Sequence, residues 1–384
     1  MSKIKIAYLI DTIYSETAGT EKQLIGIIER LDKDTFEPYL ICLWSSPWMR
    51  KNKLPCEVFV LDYNGFIKLS FMRVMKRLIA LLRRQRFNIV QTFFKDSIFI
   101  GYLGKLLSST KPVLLSSRRD IGLGSEAPWY HALYRLALPV ANKYFEGIVA
   151  NGKNVRDYVA QREKVPLSKI MLIHNGIAIP SHVESKPSIF KDIRAELWIG
   201  ITANLKPAKR IDVFLKALAH LKTICNTIDF KALILGEGAE RERLQNIAKE
   251  LDLLSTVHFI GEVTNVNAYL QGLDIGVLCS DREGFPNSIL EYMACSLPVV
   301  ATAVGGNTEL VDHTNGFCVP PGNPVALAEC LARLAVSSEL RKEMGCKSLE
   351  KVRRYYSWDR IIREWESHYR WLLAKKKLMS LTCP

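Results

Sequence analysis

Two glutamates bracket the predicted start of a helix. Glu283 and Glu291 are separated by the sequence Gly284-Phe285-Pro286-Asn287-Ser288-Ile289-Leu290, and proline is favoured at the first helical position. Backbone N–H groups in the first turn of a helix have no partner within the helix, so they form a site for an anion such as a phosphate. Carboxylates accept hydrogen bonds from hydroxyl groups. The pair therefore predicts a site in which one glutamate contacts a sugar and the other contacts a ribose.

The spacing alone leaves a purely structural interpretation open. Glu283 would then complement the dipole at the helix N-terminus, and Glu291, about two turns into the helix, would lie on its solvated face.

Two segments in the first half of the chain also follow predicted strands. Gly19 and Thr20 precede an apolar helix, where a residue without a Cβ lets backbone N–H groups approach a phosphate. Arg118 or Arg119 is placed to bind a phosphate or an acidic acceptor in bidentate fashion, with Asp120 orienting it. Plain helix initiation and an exposed ion pair are the alternatives. The first strand is not followed by Gly-x-Gly-x-x-Gly, which argues against a dinucleotide-dependent oxidoreductase.

These candidate residues depend on short β-rich runs that alternate with helical patterns, as in parallel sheets built from βα units. The first series of strands is predicted at residues 5–10, 38–43, 58–61, 89–92, 113–116, 147–150 and 170–173. The second series is predicted at residues 198–202, 231–235, 257–260, 275–278, 298–301 and 316–319. Two series imply two doubly wound α/β domains, and a length of 384 residues is enough for both.

The predicted domain boundary is the polar, proline-bearing stretch from Pro180 to about Lys191. We expect an N-terminal domain over residues 1–180 and a C-terminal domain over residues 181–356. A helix over residues 357–384 has apolar residues at helical spacing, and we expect it to cross back to the N-terminal domain.

The block from Glu283 to Thr302 resembles the signature of retaining glycosyltransferase family 4, whose Glu-x7-Glu motif falls on Glu283 and Glu291. The segments 175–177, 204–210, 236–238, 304–311 and 315–322 look like further landmarks in the family's order. The resemblance implies a GT-B fold, in which two facing Rossmann-like domains enclose an interdomain cleft. It makes the purely structural interpretation of the two glutamates a poor one.

The resemblance also implies roles for individual residues. Lys209 matches the lysine that contacts the donor diphosphate, and Asn204 replaces the arginine that usually precedes it, so Lys206 or Arg210 is expected to supply the missing charge. Arg118 stands where many relatives carry a histidine that places the transferred sugar. The residues expected to act in catalysis are Glu283, Lys209, Arg118 and Asp120. Those expected to bind the nucleotide sugar are Gly19, Thr20, Asn204, Lys206, Arg210, Gly236, Gly284, Phe285, Pro286, Asn287 and Glu291.

Most of the formal net charge of +14 lies in the first half of the chain, with +12 in residues 1–180 and +2 in the remainder. A one-sided basic domain predicts an anionic partner. The segment Phe71–Arg86 places apolar and basic residues on different helical faces, and the loop Trp44–Trp48 adds tryptophans, so we expect contact with an anionic membrane surface. A crossover helix with a solvated basic face is the alternative.

No segment has the length of a secretory signal or a membrane span, and the nine cysteines lack a C-x-x-C pair. We therefore expect a cytoplasmic protein, peripheral on the inner membrane face. The expected activity is metal-independent, retaining transfer of a sugar from a nucleotide diphosphate sugar to a glycan or lipid-linked acceptor, with no cofactor. A nucleotide-sugar epimerase and a basic nucleic-acid-binding protein are the alternatives, although no basic motif interleaved with aromatic residues supports the second.

Overall fold

The computed structural model describes residues 2–66, 70–120 and 128–382, which divide into two compact units. The first unit contains residues 1–176 and 358–384, and the second unit contains residues 177–357. Both units are parallel α/β structures, so the predicted fold class of two doubly wound domains is confirmed.

The first unit is built on a parallel sheet of seven strands in the order β3-β2-β1-β4-β5-β6-β7 over its described residues. Its strands are β1 (Ile4–Ile10), β2 (Phe36–Cys42), β3 (Glu57–Val60), β4 (Ile89–Phe93), β5 (Val113–Arg118), β6 (Gly147–Ala150) and β7 (Ile170–Leu172). Its helices up to this point are α1 (Gly19–Arg30), α2 (Pro47–Lys51), α3 (Ser70–Gln85), α4 (Lys95–Leu107), α5 (Pro128–Lys143) and α6 (Lys153–Arg162), with a 3-10 turn at Leu167–Lys169.

The second unit has a parallel sheet of six strands in the order β10-β9-β8-β11-β12-β13. Its strands are β8 (Leu197–Thr202), β9 (Phe230–Leu235), β10 (Val257–Gly261), β11 (Ile275–Leu278), β12 (Val299–Thr302) and β13 (Gly316–Val319). Its helices are α7 (Ile189–Asp192), α8 (Ile211–Ile224), α9 (Arg241–Glu250), α10 (Val266–Leu270), α11 (Asn287–Ala294), α12 (Asn307–Leu310), α13 (Pro324–Val336) and α14 (Ser338–Tyr355), with a 3-10 turn at Pro207–Lys209.

The last helix, α15 (Trp358–Thr382), belongs to the first unit. Its apolar positions recur every three or four residues and are buried in one core with residues of β1, β2 and α1: Ile361, Ile362, Trp365, Tyr369 and Leu372. Burial of such side chains stabilises a helix by about 1.5–3 kcal/mol for each large residue. The helical spacing that predicts α15 is therefore the spacing that packs it.

In each sheet the first strand of the unit lies in the interior, and the strand order reverses direction there. In the second unit β8 pairs with both β9 and β11, and in the first unit β1 pairs with both β2 and β4. Ligands of such sheets bind beyond the carboxyl ends of the strands where the order reverses. The loops after β8 and β11 are therefore the first place to look for a site in the second unit.

Candidate functional site

The segments that follow β8 and β11 are held together by backbone contacts. Gly200 of β8 is in register with Gly276 of β11, so the carboxyl ends of the two strands lie side by side. Beyond them, the Asp281 N–H donates to the Ala208 carbonyl oxygen at 2.9 Å, and the Cys279 thiol lies 3.0 Å from the Arg210 carbonyl oxygen. The 3-10 turn Pro207–Lys209 is thereby fixed beside the loop that leads into α11.

This arrangement brings Lys209 and Glu283 together. The Lys209 Nζ lies 2.5 Å from the Glu283 Oε1, and the Ser280 hydroxyl lies 2.6 Å from the same oxygen. The Glu283 side chain is 10% exposed and the Lys209 side chain 28% exposed, so the pair is largely shielded but reachable from solvent. A charge-assisted hydrogen bond of this kind holds both groups in defined positions. Two residues that the sequence places 74 positions apart thus form one charged centre.

Glu291 is buried within α11, at 9% exposure, so the solvated face that was one interpretation of its position is wrong. The neighbouring Tyr292 anchors the helix, because its hydroxyl accepts from the Thr202 N–H at 2.6 Å and donates to the Val277 carbonyl at 3.2 Å. Pro286 occupies the N-cap position of α11, and no described side chain caps that end. The first turn of α11 therefore retains the anion-binding character of an uncapped helix N-terminus.

Two glycines allow the loop after β9 to approach the loop after β8. Gly236 has a φ of +132°, and a Cβ there would lie 2.1 Å from the Ala203 carbonyl oxygen. A Cβ on Gly238 would lie 2.3 Å from the Leu205 carbonyl oxygen. The close approach is secured by the Leu205 N–H, which donates to the Glu237 carbonyl at 2.8 Å. Gly236, predicted as a ligand-binding residue, therefore has a clear structural role in shaping the loops.

The residues predicted to bind the donor around Phe285 include some that are buried in the core and some that are partly exposed. Phe285 is buried, and its ring lies 5.7 Å from the ring of Tyr356. Gly284 accepts a hydrogen bond from the Gly306 N–H at 2.9 Å, which ties the loop before α11 to the loop after β12. Asn287 is the first residue of α11 and is half-buried. The backbone at this point is therefore fixed by packing, as a preorganised site requires.

The cations around Lys209 differ in what they contact. Arg210 adopts the left-handed conformation at a φ of +48° and pairs with Asp212 and Asp281, each at 3.1 Å. The hydrogen bonds that Arg210 donates to Asp212 are the main cause that raises the pKa of Arg210. Lys206 and Asn204 are exposed on the same turn. Of the two residues expected to replace the missing charge, Arg210 is already paired with carboxylates and Lys206 extends into solvent.

In the first unit, the predicted Gly19–Thr20 turn is organised by a residue that the sequence analysis did not select. The Glu21 Oε2 accepts hydrogen bonds from the Tyr14 N–H at 2.8 Å and the Ser15 N–H at 2.9 Å. Burial raises the pKa of Glu21, and these two bonds partly oppose the rise. A glutamate at the third position of a helix is the known sequence signal for such a reach-back contact. Gly19 lies exposed at the start of α1.

Arg118 does not occupy the position expected for a substrate-binding arginine. It is 7% exposed, and its guanidinium donates to Glu163 through Nη2 at 3.1 Å, to the Asn142 side-chain oxygen at 2.9 Å, and to the Ser116 hydroxyl. The Asn142 amide donates in turn to Glu163 at 3.0 Å. The exposed ion pair that was the alternative is also wrong, since this pair is buried. No local signal links Arg118 to Glu163, which lies 45 residues away.

Arg119, the next residue, has a different environment. Its Nη1 donates to the Asn175 side-chain oxygen at 2.7 Å, and its guanidinium carbon lies 5.6 Å from the centre of the Phe93 ring. Burial lowers the pKa of Arg119 to about 10. Asp120 lies exposed one residue further on.

The basic amphipathic helix predicted at Phe71–Arg86 is α3, whose buried face consists of Val74, Met75, Leu78 and Leu82. Its exposed face includes Arg73, Lys76 and Arg84, whereas Arg77 is paired with Asp62. The two tryptophans expected beside it are packed against the protein instead. Trp44 stacks on Tyr63 with ring centres 6.4 Å apart, and Trp48 packs against the core of β1 and β2. Both rings are therefore half-buried, and packing within the protein covers part of each of them.

Among the helices of the described residues, none combines the length and the apolar character that crossing a bilayer requires. Within the same residues, no group of three or more histidine, cysteine, aspartate or glutamate side chains is arranged as a set of metal ligands.

Two family models match adjoining parts of the chain. The model described as Glycosyltransferase Family 4 matches residues 17–179, and the model described as Glycosyl transferases group 1 matches residues 193–350. The second match contains Lys209, Glu283 and Glu291, and the first contains Arg118 and Arg119.

Curated relatives match over different shares of their length. The N-acetyl-alpha-D-glucosaminyl L-malate synthase of Bacillus anthracis is 30% identical over 44% of this chain, and the match spans only 43% of that protein. The GalNAc-alpha-(1->4)-GalNAc-alpha-(1->3)-diNAcBac-PP-undecaprenol alpha-1,4-N-acetyl-D-galactosaminyltransferase of Campylobacter jejuni is 23% identical, with coverage of 94% of this chain and 99% of the relative. Among solved structures, HepE of Anabaena in complex with UDP has a TM-score of 0.80 at 19% identity and covers 95% of this chain and 99% of its own.

Proposed function

This chain belongs to glycosyltransferase family 4, and we propose that it transfers a sugar from a nucleotide diphosphate sugar to a glycan or lipid-linked acceptor, with retention of the anomeric configuration and without a metal ion. The observation that carries the proposal is the charged centre of Lys209 and Glu283, which lies beside the loop that leads into α11. The name of the similar transferase from Campylobacter jejuni describes a glycan on PP-undecaprenol, and this supports the proposal of a lipid-linked acceptor.

The second unit offers the groups that such a donor needs. The Lys209 ammonium and the first turn of α11 supply positive potential for a diphosphate, and they neutralise the charge that develops on it as the sugar leaves. Glu283 accepts hydrogen bonds from hydroxyls of the transferred sugar, and Glu291 accepts them from the ribose. Lys209 and Glu283 hold each other through their hydrogen bond, so the protein itself positions both groups.

In the single-step route to retention that we propose, the acceptor attacks the anomeric carbon on the face from which the diphosphate departs. The departing diphosphate oxygen then accepts the acceptor's proton, so the protein supplies no separate base. The role of the chain is to hold the diphosphate and the sugar in position, and such positioning accounts for a large share of the acceleration in many transfer reactions.

A donor panel tests the proposal. The thermal unfolding midpoint is measured with UDP, GDP, ADP and dTDP and with their glucose conjugates, because a ligand that binds only the folded state raises the midpoint by mass action. We expect one nucleotide series to stabilise the protein, and we expect Lys209→Ala to abolish most of that stabilisation. Lys206→Ala is the matched control, since Lys206 lies exposed on the same turn. If no member stabilises the protein, or if Lys206→Ala is the more damaging change, the assigned donor site is wrong.

We also propose that the first unit rests on an anionic membrane through the basic face of α3. Arg73, Lys76 and Arg84 are exposed there, and each cation near an anionic surface contributes about 1 kcal/mol. We expect the protein to co-sediment with phosphatidylglycerol vesicles at low salt, and less so at 1 M salt, where the Debye length shortens to about 3 Å. Changing the three residues to glutamine should release it. A wild-type protein that stays in the supernatant at low salt contradicts this proposal.

A further inference from the structure

Arg119 is a cation without an anionic partner among the described residues of the first unit. We propose that its guanidinium binds an anionic group, a carboxylate or a phosphate, carried by a substrate of the transfer reaction. The inference rests on the proposed function for the identity of that reaction, and it adds the chemical class of a group that one of the substrates must carry.

The hydrogen bonds of Arg119 leave one edge of the guanidinium unused. Nη1 donates to the Asn175 side-chain oxygen at 2.7 Å, whereas Nε is buried and has no hydrogen-bond partner within residues 2–66, 70–120 and 128–382. Nη2 likewise has no partner among the described residues. The edge formed by Nε and Nη2 is one that a carboxylate or phosphate can occupy through two parallel hydrogen bonds.

The adjacent Arg118 shows what a structural arginine looks like in this sheet. Arg118 is paired with Glu163 at 3.1 Å and donates to two further side chains. Among the described residues, Arg119 donates to a neutral amide oxygen and lies over the face of the Phe93 ring, and it is paired with no carboxylate. Arg119 is half-buried, with its Nε fully buried. Withdrawing a cation from water without an anion is unfavourable, and burial lowers the pKa of Arg119 to about 10. An arriving anion would compensate that charge.

The surroundings of Arg119 are rigid and polar. Arg119 follows β5, Asn151 follows β6, and Asn175 lies shortly after β7, so all three stand at the carboxyl edge of adjacent strands. The Asn151 amide nitrogen lies 3.5 Å from the Asn175 side-chain oxygen, and the Asn151 Oδ1 is buried with no hydrogen-bond partner in the described part of the chain. Next to Asn175, Gly176 is held through both its N–H and its carbonyl by the side chain of Gln23, at 2.8 and 2.9 Å.

These observations describe a prepared site for an anion. The Asn175 oxygen fixes one nitrogen of the guanidinium and thereby orients the free edge. The unpaired Asn151 oxygen adds an acceptor that suits a hydroxyl next to the anionic group. Two sources carry such chemistry: the sugar of an acidic nucleotide sugar, and a phosphate on the acceptor.

Calorimetric titration of the full chain distinguishes the two sources. The probes are UDP-glucose and UDP-glucuronate, which differ by one carboxylate, and glycerol and glycerol 3-phosphate, which differ by one phosphate. For one of these pairs we expect the wild type to bind the anionic member more tightly, and we expect Arg119→Gln to reduce that preference by roughly 10- to 100-fold, as for the loss of a charge-assisted hydrogen bond. Arg83→Gln, an exposed change of the same charge on α3, is the matched control and should leave the preference intact.

Unliganded stability provides a second readout. A glutamine at position 119 can still donate to Asn175, so we expect Arg119→Gln to unfold at the wild-type temperature or higher, whereas loss of a structural arginine would lower it. Arg119→Lys keeps the charge without the two-point edge and should recover only part of the preference. If UDP binds but neither pair depends on Arg119, the inference is overturned and the proposed function stands. If UDP and its conjugates do not bind, the uridine donor fails, and the glycerol pair alone decides the inference.

Discussion

Charged residues just beyond the strands have different partners in the two units. In the second unit, Lys209 is paired with Glu283, and Arg210 is paired with Asp212 and Asp281. In the first unit, Arg119 has no carboxylate partner among the described residues, and Asp11, directly after β1, accepts hydrogen bonds from Ser97, through its hydroxyl at 2.7 Å and through its backbone N–H, but is paired with no cation among those residues. The same parallel α/β architecture thus holds Lys209 and Arg210 in ion pairs in one unit and leaves Arg119 and Asp11 without ion-pair partners among the described residues of the other.

The difference is physical evidence about what each region is built for. Under the proposed function, the paired charges in the second unit hold Lys209 and Glu283 in position for a donor. Uncompensated charges in the first unit cost stability, and proteins keep such groups mainly where a ligand repays the cost. Arg118 shows that the first unit can neutralise an arginine fully, so the state of Arg119 is not a general property of its sheet.

The largest effect that we expect is on stability, at Arg118. Arg118→Ala leaves Glu163 as a buried charge without its partner, and breaking such a pair costs about 3–5 kcal/mol of unfolding free energy. Urea denaturation measures this loss. The double variant Arg118→Met with Glu163→Met should regain most of it, because the stranded charge is also removed. If the Arg118→Ala protein is as stable as the wild type, Arg118 is not a structural arginine and does not differ from Arg119 in the way described.

A smaller effect is expected at Asp11, whose pKa burial raises to about 6. Because the folded pKa lies above the unfolded value of about 3.9, the folded state binds the proton more tightly. This contribution to stability is fully present below about pH 4 and is lost as the pH rises through 6. Asp11→Asn should therefore raise the unfolding free energy at pH 7 by about 1–2 kcal/mol after screening by solvent, and with it the unfolding temperature. The unfolding temperature of the variant should also depend less on pH between pH 7 and pH 4.

Thermal unfolding across this pH range checks the expectation, with Asp212→Asn as the matched variant. The pKa of Asp212 is lowered because its bonds with Arg210 outweigh the rise that burial causes, so its charge stabilises the fold at neutral pH. Asp212→Asn should thus lower the unfolding temperature at pH 7. If both aspartate variants shift it in the same direction, the two units do not differ as described.

The sequence is sufficient for the architecture because the strands are short apolar runs between helical repeats, and both signals are local. The burial of Ile361, Trp365 and Tyr369 in α15 follows from their spacing in the same way. The charged centre of Lys209 and Glu283 could be anticipated only as two separate residues, through a resemblance to a family. Nothing local indicates that they touch, because β8 and β11 are neighbours by topology.

The different roles of Arg118 and Arg119 could not be predicted from the sequence for a related reason. Arg118 belongs to the last position of β5 and Arg119 to the loop that follows, and in a strand successive side chains point to opposite faces. A difference of one position therefore separates a network with Glu163 from a contact with Asn175. For Trp44 and Trp48, membrane contact stays a prediction. The structure shows both rings half-buried, with Trp44 stacked on Tyr63 and Trp48 packed against the core of β1 and β2, and these contacts with distant residues carry no local signal.

The central claim, that Glu283 contacts the transferred sugar of a nucleotide donor, is tested most directly by calorimetric titration of Glu283→Gln and Glu291→Gln. Each variant is titrated with the nucleoside diphosphate and the nucleotide sugar that stabilise the wild type. We predict that Glu283→Gln weakens the nucleotide sugar by roughly 10- to 150-fold, the effect of losing a charge-assisted hydrogen bond, and leaves the diphosphate unchanged or tighter, since Lys209 is released. Glu291→Gln should weaken both ligands alike. Wild-type affinity of Glu283→Gln for the nucleotide sugar would contradict the account.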